Sequence, residues 1–188
     1  MARSHAARMN EVLDKVEITA VVDINLERAQ MVAELFPKKP VVHNNYEEIL
    51  DHVDATLIVL PHHLHHPVTV KCLNEGKHVL VEKPMANTEQ ECLEMIESAR
   101  RNDRVLMVAY CMRFHPLVLK FKEIMDNKTF GDVFQLSIWT EQHTQRDSSN
   151  WMCKAKEVGG GQFFSHGCHY IDLMLWMLGK PVKGIHLG

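Results

Sequence analysis

The chain has 188 residues, 46% hydrophobic and 24% charged, with 21 basic against 24 acidic side chains. This is the composition of a globular chain long enough for one full domain and part of another. It offers no basic stripe for nucleic acid, and no apolar run approaches the ~18 residues of a membrane span.

Over residues 1–110 strand-like and helix-like segments alternate with short connections. The run "VEITAVV" (16–22) reads as a strand and "LERAQMVAELF" (26–36) as a helix. A short strand "VV" (41–42) and a small helix near "YEEILDH" follow. The apolar run "DATLIVL" (54–60) predicts a strand ending at Pro61, and 67–76 a helix stopped by Gly76. "HVLVE" is a further strand, 88–102 an amphipathic helix and 105–110 another strand. Apolar strands alternating with helices imply a parallel sheet buried on both faces, a doubly wound α/β fold.

The pattern changes after Tyr110. A helix is predicted over 116–127, and "VFQLSIWT" (133–140) alternates with one apolar face, as in the open sheet of an α+β domain. Residues 141–158 read as a loop, 162–178 as one long helix, and 182–187 as the start of another strand. The expected division is therefore 1–110 and 111–188.

A doubly wound nucleotide-binding domain opens with a strand and a glycine-rich turn that sets a pyrophosphate on a helix N-terminus. Neither precedes the first helix here. Asp23, however, ends the first visible strand, where an acidic side chain accepts hydrogen bonds from ribose hydroxyls. Ala2 stands about 20 residues earlier, in the place of the third small residue of that turn. The expectation is a chain cut from a longer protein at both ends, with weak or absent cofactor binding and no turnover by residues 1–188 alone. Five cysteines without C-x-x-C spacing read as reduced thiols, and the N-terminus carries no apolar signal region, which together imply a cytoplasmic protein.

Two motifs carry a resemblance. "LPHHLHHPVTVKCLNEGKHVLVEKPMANT" (60–88) and "GGGQFFSHGCHYIDLMLWMLG" (159–179) resemble the Gfo/Idh/MocA oxidoreductases, which include glucose–fructose oxidoreductase and inositol dehydrogenase. "VVDINLERA", "YCMRFHP", "FGDVFQL" and Trp151 before the triple glycine fall in the family's order, so the likeness covers essentially the whole chain. The resemblance implies a Rossmann domain followed by an α/β domain with an open sheet that often forms a homo-oligomer interface. It also implies NAD or NADP as cofactor and hydride transfer to or from a sugar, cyclitol or similar polyol.

In such sheets ligands lie beyond the carboxyl ends of the strands. Glu82, Lys83 and Pro84 stand at one such end, and Leu60, Pro61 and His65 at its neighbour's. Lys83 can donate to a substrate hydroxyl and stabilise the alkoxide that develops as hydride leaves; a surface strand cap paired with Glu82 is its bland reading. Pro84 fixes the direction of the backbone, with a cis bond open to it. His169 can accept the hydroxyl proton, and Ser165, four residues earlier, would share its helix face, with Asp172 three residues on. Many relatives carry an aspartate where Ser165 stands, and serine cannot stabilise imidazolium by charge.

Arg113 matches a family arginine beside the cleft and equally suits a salt bridge. Trp151 suits either a pocket wall or a core plug. Asp23 favours NAD over NADP because a carboxylate repels a 2′-phosphate. The "HHLHH" run (62–66) lacks a carboxylate to complete a metal site, so no metal is assigned. Two other readings stay open: an NAD-dependent glycoside hydrolase or lyase of the same family, and a non-catalytic dinucleotide-binding module.

Overall fold

The computed structural model describes residues 1–185. The chain opens with helix α1 (Ala2–Met9), then strand β1 (Ala20–Val22), helix α2 (Leu26–Ala33) and strand β2 (Val41–His43). Strand β3 (Ala55–Ile58), helix α3 (His65–Asn74), strand β4 (His78–Val81), helix α4 (Glu89–Arg101) and strand β5 (Leu106–Val108) follow. Helices α5 (Pro116–Asp126), α6 (Ala155–Val158), α7 (Gln162–Ser165) and α8 (Cys168–Leu178) complete it, with short 3₁₀ turns between.

The pairs β1–β2 and β3–β4 are parallel, as the buried apolar runs require. β1 pairs with β2 in the register Ala20↔Val41, and β3 with β4 from Ala55↔His78 to Ile58↔Val81. They form two separate sheets, ordered β1-β2 and β3-β4-β5. Each helix between paired strands makes a crossover, which is what parallel pairing demands of the chain.

Local chemistry sets the helix ends. Asn25 caps α2, its Oδ1 accepting from the Arg28 N–H at 3.1 Å. After α3, Gly76 takes a positive φ of 73°, and the Lys77 N–H closes back on the Cys72 carbonyl. At α4 the Glu91 carboxylate accepts from the Asn87 and Thr88 N–H groups while Thr88 Oγ1 accepts from the Glu91 N–H. This is a reciprocal capping box.

The chain forms two compact units. One holds Met1–Leu60, Pro67–Val81 and Leu93–Met107; the other holds Pro61–His66, Glu82–Cys92 and the residues from Val108 onward. The core of the first unit is built on Leu73, Met95, Cys72, Val79 and Val81, all buried.

Four sequence expectations differ from what forms. Residues 133–140 carry no strand, and Phe134 and Trp139 are 98% and 90% exposed. A strand exists only where a neighbour pairs its backbone groups, and none of the described residues does so here. The helix expected over 162–178 is two helices, α7 and α8, broken at His166 and Gly167. The expected loop 141–158 contains a 3₁₀ turn at Trp151–Cys153 and helix α6. Of the strand expected over 182–187, residues 182–185 are irregular and His186 and Leu187 lie outside the described residues.

Candidate active site

Strand β4 buries Val79 and Val81 and then delivers Glu82, Lys83 and Pro84 into the second unit. Glu82 is buried, and its Oε2 accepts from the Lys83 N–H at 3.0 Å. The Lys83–Pro84 peptide bond is cis. Lys83 Nζ donates to the main-chain carbonyl of Ser165 at 2.9 Å, so the lysine is tied to the glycine-rich segment and not to Glu82 as a surface cap. An ammonium has three donors, and this bond uses one.

The histidine run serves as joinery. His65, fully buried, donates from Nδ1 to the Pro84 carbonyl at 2.8 Å. His62 donates from Nδ1 to the Val158 carbonyl at 2.8 Å, and His63 pairs more loosely, at 3.3 Å, with that of Glu157. A carbonyl only accepts, so His62 and His65 each carry a proton on Nδ1. Trp151 stands edge-on to the His62 ring at 4.8 Å between centroids. Burial, partly offset by the Val158 bond, lowers the pKa of His62. Among the described residues no group of three histidine, cysteine or acidic side chains is arranged to hold a metal ion.

The triple glycine leads into α7 and then α8, which carries His169 and Asp172, both buried. Arg113 donates from Nε to Asp172 Oδ2 at 2.6 Å and from Nη2 to Oδ1 at 2.5 Å. Its guanidinium also lies 5.6 Å from the Trp176 ring centroid. Of the two readings open in the sequence, Arg113 thus takes the salt bridge, with Asp172 as partner.

His169 packs between rings, with Tyr110 at 6.1 Å and His166 at 6.3 Å. Burial first, then the charges of Lys83 and His166, hold its pKa below the ordinary histidine value. The Tyr110 phenol is pushed up, chiefly by burial, and stays neutral. Because the helix breaks at 166–167, the four-residue spacing does not set Ser165 and His169 on one continuous helix face. Ser165 contributes its carbonyl to Lys83; its hydroxyl makes no bond to His169.

Pro61, His65, Glu82, Lys83, Pro84, Arg113, Trp151, Ser165 and His169 therefore all belong to the second unit, while Ala2, Asp23 and Leu60 belong to the first. Ala2 begins α1, and Asp23 closes β1, its Oδ1 accepting from the Asn25 N–H at 2.9 Å. Tyr110 and His62 were not singled out in the sequence; an aromatic directly after an apolar strand was the available signal for Tyr110.

Residues 1–110 match the oxidoreductase family with an NAD-binding Rossmann fold, and residues 118–187 match the GFO/IDH/MocA C-terminal domain. The chain belongs to the GFO/IDH/MocA family. An oxidoreductase of Streptococcus pneumoniae, itself uncharacterized, is 30% identical over 92% of this chain and 46% of its own length. Trans-1,2-dihydrobenzene-1,2-diol dehydrogenase of Xenopus laevis is 30% identical over 84% of this chain and 47% of its own length. Among solved structures, the WlbA dehydrogenase of Chromobacterium violaceum, in complex with NADH and UDP-GlcNAcA, superposes with a TM-score of 0.81. It is 27% identical, over 95% of this chain and 52% of that one. The chain thus spans about half the length of the GFO/IDH/MocA relatives it matches.

Proposed function

We propose that this chain carries the reacting groups of an NAD-dependent oxidoreductase that moves hydride between nicotinamide and a hydroxyl-bearing carbon of a sugar, cyclitol or related polyol. The reading rests on one observation above the others: Lys83, at the end of a parallel strand, is tied through Ser165 to the segment that carries His169. A cation there suits an alkoxide, and a neutral ring beside it suits a hydrogen bond to the same oxygen.

Asp23 supports NAD. Its carboxylate is fixed at the carboxyl end of β1 by the Asn25 N–H, which suits a ribose diol and repels a 2′-phosphate. When bound, the nicotinamide supplies the acceptor for hydride. The chain's own part is to polarise the substrate hydroxyl through Lys83, to hold Lys83 in place through the Ser165 carbonyl, and to fix the strand end through the His65 bond to Pro84. His65, fully buried, would serve a cofactor through the backbone it fixes.

The test is the full polypeptide encoded by its gene, incubated with NAD or NADP and a panel of sugars, cyclitols and polyols. A substrate-dependent rise in NADH absorbance is expected with NAD, and Lys83→Ala is expected to lower kcat by about 10²–10³-fold. Glycoside cleavage without net NADH would overturn the dehydrogenase reading in favour of an NAD-dependent hydrolase or lyase.

A further inference from the structure

His169 has one ring nitrogen in an unusual position. Nδ1 is enclosed and has no hydrogen-bond partner, whereas Nε2 is not enclosed in that way. Each neighbour that might serve Nδ1 is engaged elsewhere or bonds through another atom. The Ser165 carbonyl takes Lys83 Nζ at 2.9 Å, and the His166 Nε2 lies 3.3 Å from Thr140 Oγ1 and 3.4 Å from the Tyr170 hydroxyl. The Asp172 carboxylate is held by Arg113 through both of its oxygens.

A neutral imidazole has one N–H donor and one bare acceptor. A proton on Nδ1 would leave a buried N–H with nothing to receive it, and orphaned donors of that kind are rare in folded proteins. A bare nitrogen there is the milder defect, so the proton belongs on Nε2. Imidazolium would restore the orphaned donor and add a buried charge. The ring's environment agrees: burial, Lys83 and His166 all disfavour the charged form and outweigh Glu82 and Asp172, which favour it. The remaining neighbours, the Tyr110 phenol and the Cys168 thiol, are kept neutral by burial.

We propose that His169 stands as the neutral Nε2–H tautomer and donates a hydrogen bond from Nε2 to the substrate oxygen. The assignment of a substrate to this ring rests on the oxidoreductase reading; the tautomer does not. To accept a proton at Nε2 the ring would first have to move its own to the unpartnered Nδ1. When bound, nicotinamide would supply the acceptor for hydride. His169 holds the oxygen throughout.

The decisive measurement is nitrogen NMR of the chain labelled with ¹⁵N-histidine, needing neither substrate nor cofactor. The His169 signal is expected to show Nδ1 unprotonated and Nε2 protonated at neutral pH, with a midpoint below that of free imidazole. A protonated Nδ1, or a ring averaging between tautomers, would overturn the proposal. The second arm is His169→Gln in the full polypeptide, since the glutamine amide can donate from about the place of Nε2 but cannot take a proton. A loss in kcat below about 100-fold is expected, because loss of a general base costs 10²–10⁴-fold; a larger loss in folded protein would make His169 the base. If no polyol is oxidised while the tautomer is as stated, the oxidoreductase reading fails and the ring assignment survives.

Discussion

Gly159 occupies a position that tolerates no side chain. Its φ is +77°, and a Cβ built on it would stand 2.3 Å from Asn87 Oδ1. Gly161, two residues on, has an ordinary extended backbone and nothing within 4 Å of the same point. Gly159→Ala is therefore expected to lower unfolding free energy by about 1–3 kcal/mol, while Gly161→Ala stays within about 0.5 kcal/mol. Urea midpoints of the two variants check this, and equal shifts would mean that the φ of Gly159 is not under constraint. The comparison is informative because the three glycines look alike in the sequence. Arg113 shows the same limit from another side, since its motif alone could not choose between a ligand and Asp172. The choice follows from where α8 turns its acidic residue, and that turn follows from the break before α8.

That break belongs to the scale of elements. "QFFSHGCHYIDLMLW" reads as one uninterrupted helix, yet α7 ends at Ser165 and α8 starts at Cys168. The cause is Gly167, where a Cβ would meet the Phe163 carbonyl oxygen at 2.2 Å. Backbone this close is open only to glycine. Gly167→Ala is expected to cost about 3 kcal/mol, as an overpacked site with no flexible neighbour to yield. The same variant should weaken the bond between Lys83 and the Ser165 carbonyl, because the carbonyl sits at the end of α7. A change in the urea midpoint worth less than about 0.5 kcal/mol would show that the helix can run through.

Elements set by local periodicity and caps were legible: the five strands of the first 110 residues and the helices between them. Even there the ends shifted, because strands such as β1 extend only as far as their pairing. The strand expected over 133–140 was not legible as absent, since its alternation describes a face and pairing depends on a partner elsewhere. The candidate site was legible in its residue types, Lys83 and His169 above all. Its hydrogen bonds were not, because Ser165 acts through a main-chain carbonyl that no side-chain pattern reports.

For the molecule as a whole, burial of ionisable groups sets the pH range of stability. His62 and His169 both have lowered pKa values in the folded chain, each chiefly from burial. Below about pH 6.5 the unfolded chain takes protons that these rings refuse when folded. The unfolded state then binds more protons, and stability falls as the pH is lowered from there through the depressed folded values. Above about 6.5 their contribution is intact. The thiols of Cys72, Cys92 and Cys168 act in the opposite sense, with pKa values raised chiefly by burial. Their contribution is complete below the unfolded value of about 8.5 and is lost as the pH rises from there through the raised folded values. Stability should therefore hold a plateau between about pH 6.5 and 8.5 and decline on both sides. Thermal midpoints from pH 5 to 10 in a reducing buffer test this. His62→Asn, which keeps a donor for the Val158 carbonyl but cannot titrate, should flatten the acid limb alone. An acid limb of unchanged slope in that variant would remove His62 from the account, and a midpoint that rises steadily from pH 8.5 to 10 would remove the buried thiols.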